Sequence, residues 1–242
     1  MSSDLMKHLI CFDMDRVLVD HLSTWQYVYD KLGISNHEAF ELYNQGKLDE
    51  WDWLKMDLAL VKGAHGEITD AKMRELCVGT PLMAGIKDCL DWIVSNGHEV
   101  AIISGGMQET ARDIACMYPS EIPWRRRWGG INRHRGCDTK FHVFTNGWLE
   151  RNDGTIGDYG RYQVQMNGKG SIVQMLQRRL DIPKSRTISI GDSAGDIGMF
   201  QNSELSICFN PWDEKPVAVA KMTIRSRNLL DVLEAIKNQI KE

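Results

Sequence analysis

What this 242-residue chain lacks narrows its identity first. No segment is apolar over the length of a bilayer crossing, which takes about 20 helical residues. Lys7, His8 and Asp13 interrupt the N-terminal apolar stretch, so nothing there reads as a secretory leader. Basic charge is not in excess. With 29 Lys and Arg against 33 Asp and Glu the net charge is −4, which argues against a nucleic-acid binder, whose domain is normally basic. The six cysteines (Cys11, Cys77, Cys89, Cys116, Cys137 and Cys208) contain no C-x-x-C pair. Three of them lie in apolar runs, the setting of buried free thiols in a reducing compartment. Internal repeats, low-complexity tracts and Gly/Ser linkers are also missing. The expectation is a cytoplasmic protein without membrane attachment, large enough for one core domain plus a sizeable insertion.

What is present begins with two carboxylates. The run His8-Leu9-Ile10-Cys11-Phe12 reads as a buried parallel strand, and Asp13-Met14-Asp15 follows where that strand should end. Open α/β sheets bind their ligands at the carboxyl ends of strands. Two carboxylates this close resist joint ionisation unless a cation or strong donors offset them. A hard divalent ion with oxygen ligands is the natural partner. Far downstream, Thr187-Ile188-Ser189-Ile190-Gly191-Asp192 repeats the pattern, with Asp196 four residues on.

Two quieter segments lie between. Val100 to Ile103 reads as a strand ending on Ser104-Gly105-Gly106, a hydroxyl and open backbone amides suited to an anion. Lys169 opens a segment whose apolar stripe (Ile172, Met175 or Leu176, Leu180) reads as a helix. Singly these are a turn and a solvated lysine; in the order Asp-x-Asp, Ser, Lys, Gly-Asp-x-x-x-Asp they are much more specific.

That ordered set resembles the haloacid dehalogenase-like superfamily, in its phosphatase branch, from about Leu9 to the C-terminus. The resemblance implies an α/β, Rossmann-like core with a parallel sheet flanked by helices, and a small helical cap inserted after the first strand. It also implies roles. Asp13 would be the nucleophile that forms an aspartyl-phosphate, and Asp15 the general acid–base. Ser104, Gly105 and Lys169 would hold the phosphate. Mg²⁺ would be bound by Asp13, the Asp15 backbone carbonyl and Asp192, with Asp196 supporting from behind. The partner would be a small phosphorylated metabolite; monomer and homodimer are equally compatible with the sequence.

The cap is expected over residues 21–80, and the core over 1–20 and 81–242. Apolar residues at helical spacing outline four helices there, closed by Gly33, Gly46, Gly63 and Gly79, with Thr69 as an N-cap. Farther on, Phe141 to Thr145 and Trp148 to Glu150 read as separate strand pieces before the turn Asn152-Asp153-Gly154. The basic Trp-flanked loop from Trp124 to Arg135 reads as a solvated turn, or as a clamp for an anionic partner.

Within the superfamily the chain looks most like the phosphoserine phosphatases, with two departures. That family has an acid for the substrate ammonium where Leu22 stands, with only Asp20 and His21 nearby. It has an arginine for the substrate carboxylate where Asp57 stands, and charge reversal there is not conservative. Lys55 would substitute for that arginine in part, and Arg16 either reaches substrate or caps the strand end. The expected function is a Mg²⁺-dependent phosphatase. The alternatives are phosphoserine phosphatase proper, a sugar phosphotransferase or mutase, and a non-catalytic binding protein using the basic loop.

Overall fold

The computed structural model describes residues 6–120 and 138–241. Between β1 (Leu9–Phe12) and β2 (Glu99–Met107) lie α1 (Thr24–Leu32), α2 (His37–Asn44), α3 (Glu50–His65), α4 (Asp70–Cys77) and α5 (Ile86–Ser95). After β2 come α6 (Gln108–Cys116), β3 (His142–Glu150), β4 (Ile156–Arg161) and α7 (Lys169–Leu180). The chain closes with β5 (Thr187–Gly191), α8 (Ile197–Gln201), β6 (Leu205–Phe209), α9 (Glu214–Val217), β7 (Met222–Ile224) and α10 (Leu229–Lys241).

The sheet runs β4-β3-β2-β1-β5-β6-β7, parallel except for the β3–β4 hairpin. β1 is central, and all four of its residues are buried, as a strand covered on both faces requires. Its side chains alternate between two cores. Ile10 and Phe12 join Ile102 and Ile190 under Leu90 and Ile93 of α5 and Val232 and Ile236 of α10. Leu9 and Cys11 join Ala101 and Ile103 under Val173 and Leu176 of α7. This is the α/β fold that the strand runs imply.

Register brings the motifs together. Phe12 pairs with both Ile102 and Ile190, so β1 and β5 finish at nearly one level, and Ser104 lies two residues past Ile102 on β2, which runs on to Met107. The Asp13 N–H donates to the Ile190 carbonyl at 2.9 Å and carries β1 one step farther. Ser104 and Asp192 therefore emerge beside Asp13 at the same edge of the sheet.

The helical run α1–α4 has an apolar cluster of its own. Val28, Leu58, Val61, Met73 and Leu76 pack with Met107, Trp148 and Ile156 of the sheet strands. Caps fix the helix starts: Ser23 accepts from the Gln26 N–H, and Thr69 from that of Lys72. Two sequence expectations need correction. α3 does not stop at Gly63 but continues to His65, with Gly66 as its cap at φ 72°. An interior glycine costs a helix only about 1 kcal/mol, and buried Leu58 and Val61 hold this turn in place. The two strand pieces are one strand, β3, because Asn146 and Gly147 continue its pairing. Cys11, Cys77, Cys89 and Cys208 are free and buried, whereas Cys116 is disulfide-bonded. Among the described residues no helix is long and apolar enough to cross a membrane.

Trp148 ties the helical run to the sheet, since it is fully buried and its indole N–H donates to Asp70 of α4 at 2.9 Å. Replacing it with Phe keeps the ring but removes a donor to a charged acceptor, an expected loss of about 1.5–3 kcal/mol. Trp148→Ala should cost about 3–5 kcal/mol. Urea unfolding at constant m-value checks both, and an unchanged midpoint for Trp148→Ala would show that this contact does not hold the two parts together.

Candidate active site

Beyond β1 the chain folds back at once. The Met14 carbonyl accepts the N–H groups of Leu18 and Val19, each at 2.9 Å, and Arg16 lies in this turn at φ 61°. The left-handed region costs a side-chain-bearing residue about 1–2 kcal/mol. Arg16 has contacts that offset it. Its Nε donates to Asp192 Oδ2 and its terminal nitrogen to the Asn210 carbonyl, both at 2.8 Å. Its guanidinium lies 5.0 Å from the Trp212 ring centre. Arg16 thus braces β1 against the β5 and β6 loops and also lines the cavity described below.

Lys169 is the first residue of α7 and is buried. Its ammonium stands 2.9 Å from Asp13 Oδ1 and 2.7 Å from Asp196 Oδ1. Burial alone would push its pKa down, but the two carboxylates more than offset this and raise it. The second Asp196 oxygen accepts the N–H groups of Asp192 at 2.9 Å and Ser193 at 3.1 Å. Both Asp196 oxygens are therefore engaged in holding the β5 loop and the lysine. Gly191 makes this fit possible, because a Cβ there would overlap the Asp196 carboxyl carbon.

Asp15 turns toward α1, where its Oδ1 accepts the Thr24 N–H at 2.9 Å. The Thr24 hydroxyl accepts the Met107 N–H at 2.7 Å, which links α1, β2 and the β1 loop. Gly106 is required by close approach: a Cβ would meet Asp15 Oδ2 at 2.6 Å and the Thr24 hydroxyl at 2.7 Å. Ser104 Oγ accepts the Gly106 N–H at 3.1 Å, leaving its own proton for another acceptor. Burial, and then the Asp13 charge, push the Asp15 carboxyl up to about 7. Burial likewise lifts Asp13 to about 6, with Lys169 pulling it back and Asp196 adding to the rise. Asp192 is also raised, by burial and by both neighbouring aspartates.

Carboxylate oxygens of Asp13, Asp192 and Asp196 lie within 4.8 Å of one another, all buried. Asp13 Oδ1 has no aligned hydrogen-bond donor despite its ion pair with Lys169. An all-oxygen, multiply negative donor set with an unsatisfied atom suits a hard divalent cation. With Asp196 already saturated, Asp13 and Asp192 are the carboxylates left to such an ion.

Above these residues opens a cavity of about 500 Å³, lined on one side by Asp13, Asp15, Ser104, Gly105, Lys169 and Asp192. The helical run supplies the opposite wall, which includes Leu22, Trp25, Tyr29, Trp53 and Asp57. Two expected specificity residues are elsewhere. Asp20 pairs with Arg227 outside the cavity. Lys55 pairs with Asp52 on the outer face of α3 at 2.5 Å, so it does not replace an arginine at Asp57. Helical spacing explains both positions on α3: Asp57 shares the buried stripe of Leu54, Leu58 and Val61, and Lys55 does not. The basic loop from Trp124 to Arg135 lies outside the described residues, and His142 is buried against Glu99 at 2.9 Å.

Sequence reasoning missed Thr24, Trp212 and the aromatic wall, and read Gly106 only as an open backbone amide, not as the site of close approach to Asp15 and Thr24. A Ser-Thr helix start shortly after the acidic motif was the available signal for Thr24. Trp212 and the wall carry no local signature, because their roles come from contacts across the fold.

Comparisons with known proteins bear on the fold and the class. A family model for haloacid dehalogenase-like hydrolases matches residues 164–236. A phosphoserine phosphatase of Methanocaldococcus jannaschii is 27% identical over 238 residues, covering 96% of this chain and 98% of its own. One from Idiomarina loihiensis is 27% identical over 242 residues, covering 96% of each. A solved phosphoserine phosphatase with a phospho-aspartyl intermediate analogue superposes with a TM-score of 0.70 at 22% identity, covering 95% of this chain and 98% of that one. A substrate-bound phosphoserine phosphatase complex gives 0.71 at 21% identity, with the same coverage. Residues 164–236 are thus similar to haloacid dehalogenase-like hydrolases, and the whole chain shares its fold with solved phosphoserine phosphatases. The chain is phosphoserine phosphatase-like along nearly its whole length, and by class it is a phosphatase, a phosphoric monoester hydrolase.

Asp57 gives this site a measurable pH signature. Burial raises its carboxyl from 3.8 to about 7, although Tyr29, Asn36 and Trp53 pull it partly back. A carboxyl raised on folding favours the folded state fully below its unfolded pKa, and that contribution is lost as pH rises through the folded value. Asp57→Asn should therefore gain stability relative to wild type, by a few kcal/mol, between about pH 4 and about pH 8. Denaturant titrations of both proteins at the two pH values check this. A constant difference would mean that Asp57 is not raised.

Proposed function

We propose that this phosphatase hydrolyses a small phosphorylated metabolite in two displacements, with Asp13 as nucleophile, Asp15 as acid–base and Mg²⁺ as cofactor. The observation that carries the reading is the convergence of Asp13, Asp15, Ser104, Lys169 and Asp192 on one wall of one cavity, at the carboxyl ends of three adjacent parallel strands.

Asp13 attacks phosphorus and displaces the substrate alcohol, which takes its proton from Asp15. Water then attacks the aspartyl-phosphate, and Asp15 takes the proton of that water, restoring Asp13 and releasing phosphate. A carboxyl near pKa 7 suits this two-way task, since both protonation states are populated at neutral pH. The Thr24 N–H keeps Asp15 oriented toward the leaving oxygen. Lys169 and the Ser104 hydroxyl offset charge on the phosphoryl oxygens. Mg²⁺ would be held by the Asp13 and Asp192 carboxylates and the Asp15 backbone carbonyl, and when bound it neutralises phosphate and carboxylate charge together. Asp196 supports that set by fixing Lys169 and the β5 loop. Residues 21–80 serve as the cap that covers the reaction; the free, buried Cys11, Cys77, Cys89 and Cys208 support the cytoplasm as the compartment, and the Cys116 disulfide counts against it.

Asp13→Asn should abolish hydrolysis of p-nitrophenyl phosphate and leave the protein unlabelled by phosphorylated substrate. Asp15→Asn should lose about 10²–10⁴-fold in turnover, because proton transfer is impaired while the nucleophile remains. Near-normal activity of Asp13→Asn would eliminate the covalent route. EDTA should stop turnover of the wild type and Mg²⁺ should restore it, with Ca²⁺ inhibiting through its looser coordination. Full activity after exhaustive chelation would remove the metal from the mechanism.

A further inference from the structure

The cavity has two chemically distinct ends. At the strand ends its cations are Lys169 and Arg16, each already paired with a carboxylate. At the other end, α1–α3 supply two acids and aromatic rings, and no lysine or arginine among the lining residues. Asp57 is only 5% exposed, and no cationic side chain among the described residues pairs with it. Its donors are neutral: Asn36 bonds to Oδ1, and Tyr29 and Trp53 lie beside it. Glu50 is the second acid; it accepts from the Tyr43 and Tyr162 hydroxyls, so its negative charge is not neutralised.

A carboxylate buried without a counter-cation is costly, and a positively charged occupant would remove that cost. The rings around it suit the same occupant. Trp25 and Tyr29 stand 6.5 Å apart, and Phe40 and Trp53 6.2 Å apart, centre to centre. All four line the cavity. Aromatic faces attract desolvated ammonium groups, quaternary ones included. A substrate carboxylate at this end would face Asp57 and Glu50, with only the exposed, Glu41-paired His37 at the rim.

We propose that this cavity selects phosphomonoesters of small amino alcohols, substrates with a cationic nitrogen and no carboxylate, seated with phosphate at Asp13 and nitrogen against Asp57 and its aromatic surround. The inference rests on the phosphatase reading and extends it to the leaving group. Charge complementarity runs along the whole substrate: the anionic end meets Lys169 and the metal ligands, and the cationic end meets Asp57. Such a polarised cavity rejects a distal carboxylate by repulsion as much as it attracts a cation.

Steady-state kinetics of the Mg²⁺-loaded wild type on four esters test this. They are phosphocholine, phosphoethanolamine, L-phosphoserine, and neohexyl phosphate, the isostere of phosphocholine with carbon in place of nitrogen. p-Nitrophenyl phosphate serves as the control for chemistry. At least one cationic ester should exceed neohexyl phosphate in kcat/KM by about tenfold or more, and L-phosphoserine should fall below it. Asp57→Asn should shrink the ratio of cationic to neutral ester toward one. Equal rates on phosphocholine, phosphoethanolamine and neohexyl phosphate would overturn the inference while leaving the phosphatase intact. So would L-phosphoserine as the best of the four. No hydrolysis of p-nitrophenyl phosphate would instead overturn the phosphatase reading itself. If Asp57→Asn fails to fold, the wild-type rates on the cationic esters and the neutral isostere still separate these outcomes.

Discussion

The Lys169 ammonium, wedged between Asp13 and Asp196, is the contact on which the rest of the site depends. Four aspartates, Asp13, Asp15, Asp192 and Asp196, converge where β1 and β5 end, and three of them are almost wholly buried. Coulomb repulsion among carboxylates at such distances in a weakly polar interior amounts to several kcal/mol per pair. A cation placed against two of them turns mutual repulsion into a network. Removing one partner of such a network leaves an uncompensated buried charge, typically a loss of about 3–5 kcal/mol. Position matters as much as charge here. Lys169 opens α7, whose Val173 and Leu176 pack on Leu9, Cys11, Ala101 and Ile103. The same core that anchors β1 therefore fixes the ammonium.

Two glycines let this network close, and each is set by a side chain rather than by its own φ. Gly191 gives the Asp196 carboxylate room to reach back to the backbone of its own loop. Gly106 lets β2 pass close enough to Asp15 and Thr24 for α1 to hold the acid in place. One contact ties the surroundings of Asp13 to the β5 loop; the other ties Asp15 to the helical run.

Legibility in the sequence followed the range of the interactions. Strands of continuous apolar residues, Gly-terminated helices and motif order are local, so the sheet, α1–α4 and the acidic strand ends could be read directly. Where local signals failed, packing had outweighed them. Gly63 signalled a helix end, but Leu58 and Val61 carried α3 past it. Asn146 and Gly147 broke an apolar pattern, yet pairing kept β3 whole. Lys55 and Asp57 are two residues apart, so an account of charge along the chain treats them as neighbours. A helix turns about 100° per residue, which sets them roughly 200° apart, Lys55 against Asp52 outside and Asp57 in the buried stripe. Trp25, Tyr29, Phe40 and Trp53 were legible only as helix-face residues. That they share one wall is a property of tertiary structure.

Asp57, in the role proposed for it, would let a phosphatase scaffold change its choice of leaving group without changing its chemistry. Its polar contacts (Asn36, Tyr29, Trp53) all lie within α1, α3 and the turn before α2, and none reaches Asp13, Asp15 or Lys169. A charge reversal there leaves the strand-end network untouched, because the two ends of the cavity share no hydrogen bond through it. The cost stays local and takes the form of desolvation, visible in a carboxyl raised to about 7. A protein retains such a cost where a ligand removes it or where the group is neutral in the resting state. Both conditions fit a position that faces an open cavity. A cationic group arriving there would favour the ionised carboxylate, so binding and ionisation of Asp57 would reinforce each other. A neutral isostere offers no such coupling. Discrimination between them therefore measures the charge state of Asp57 in the complex, which buried surface area alone does not reveal.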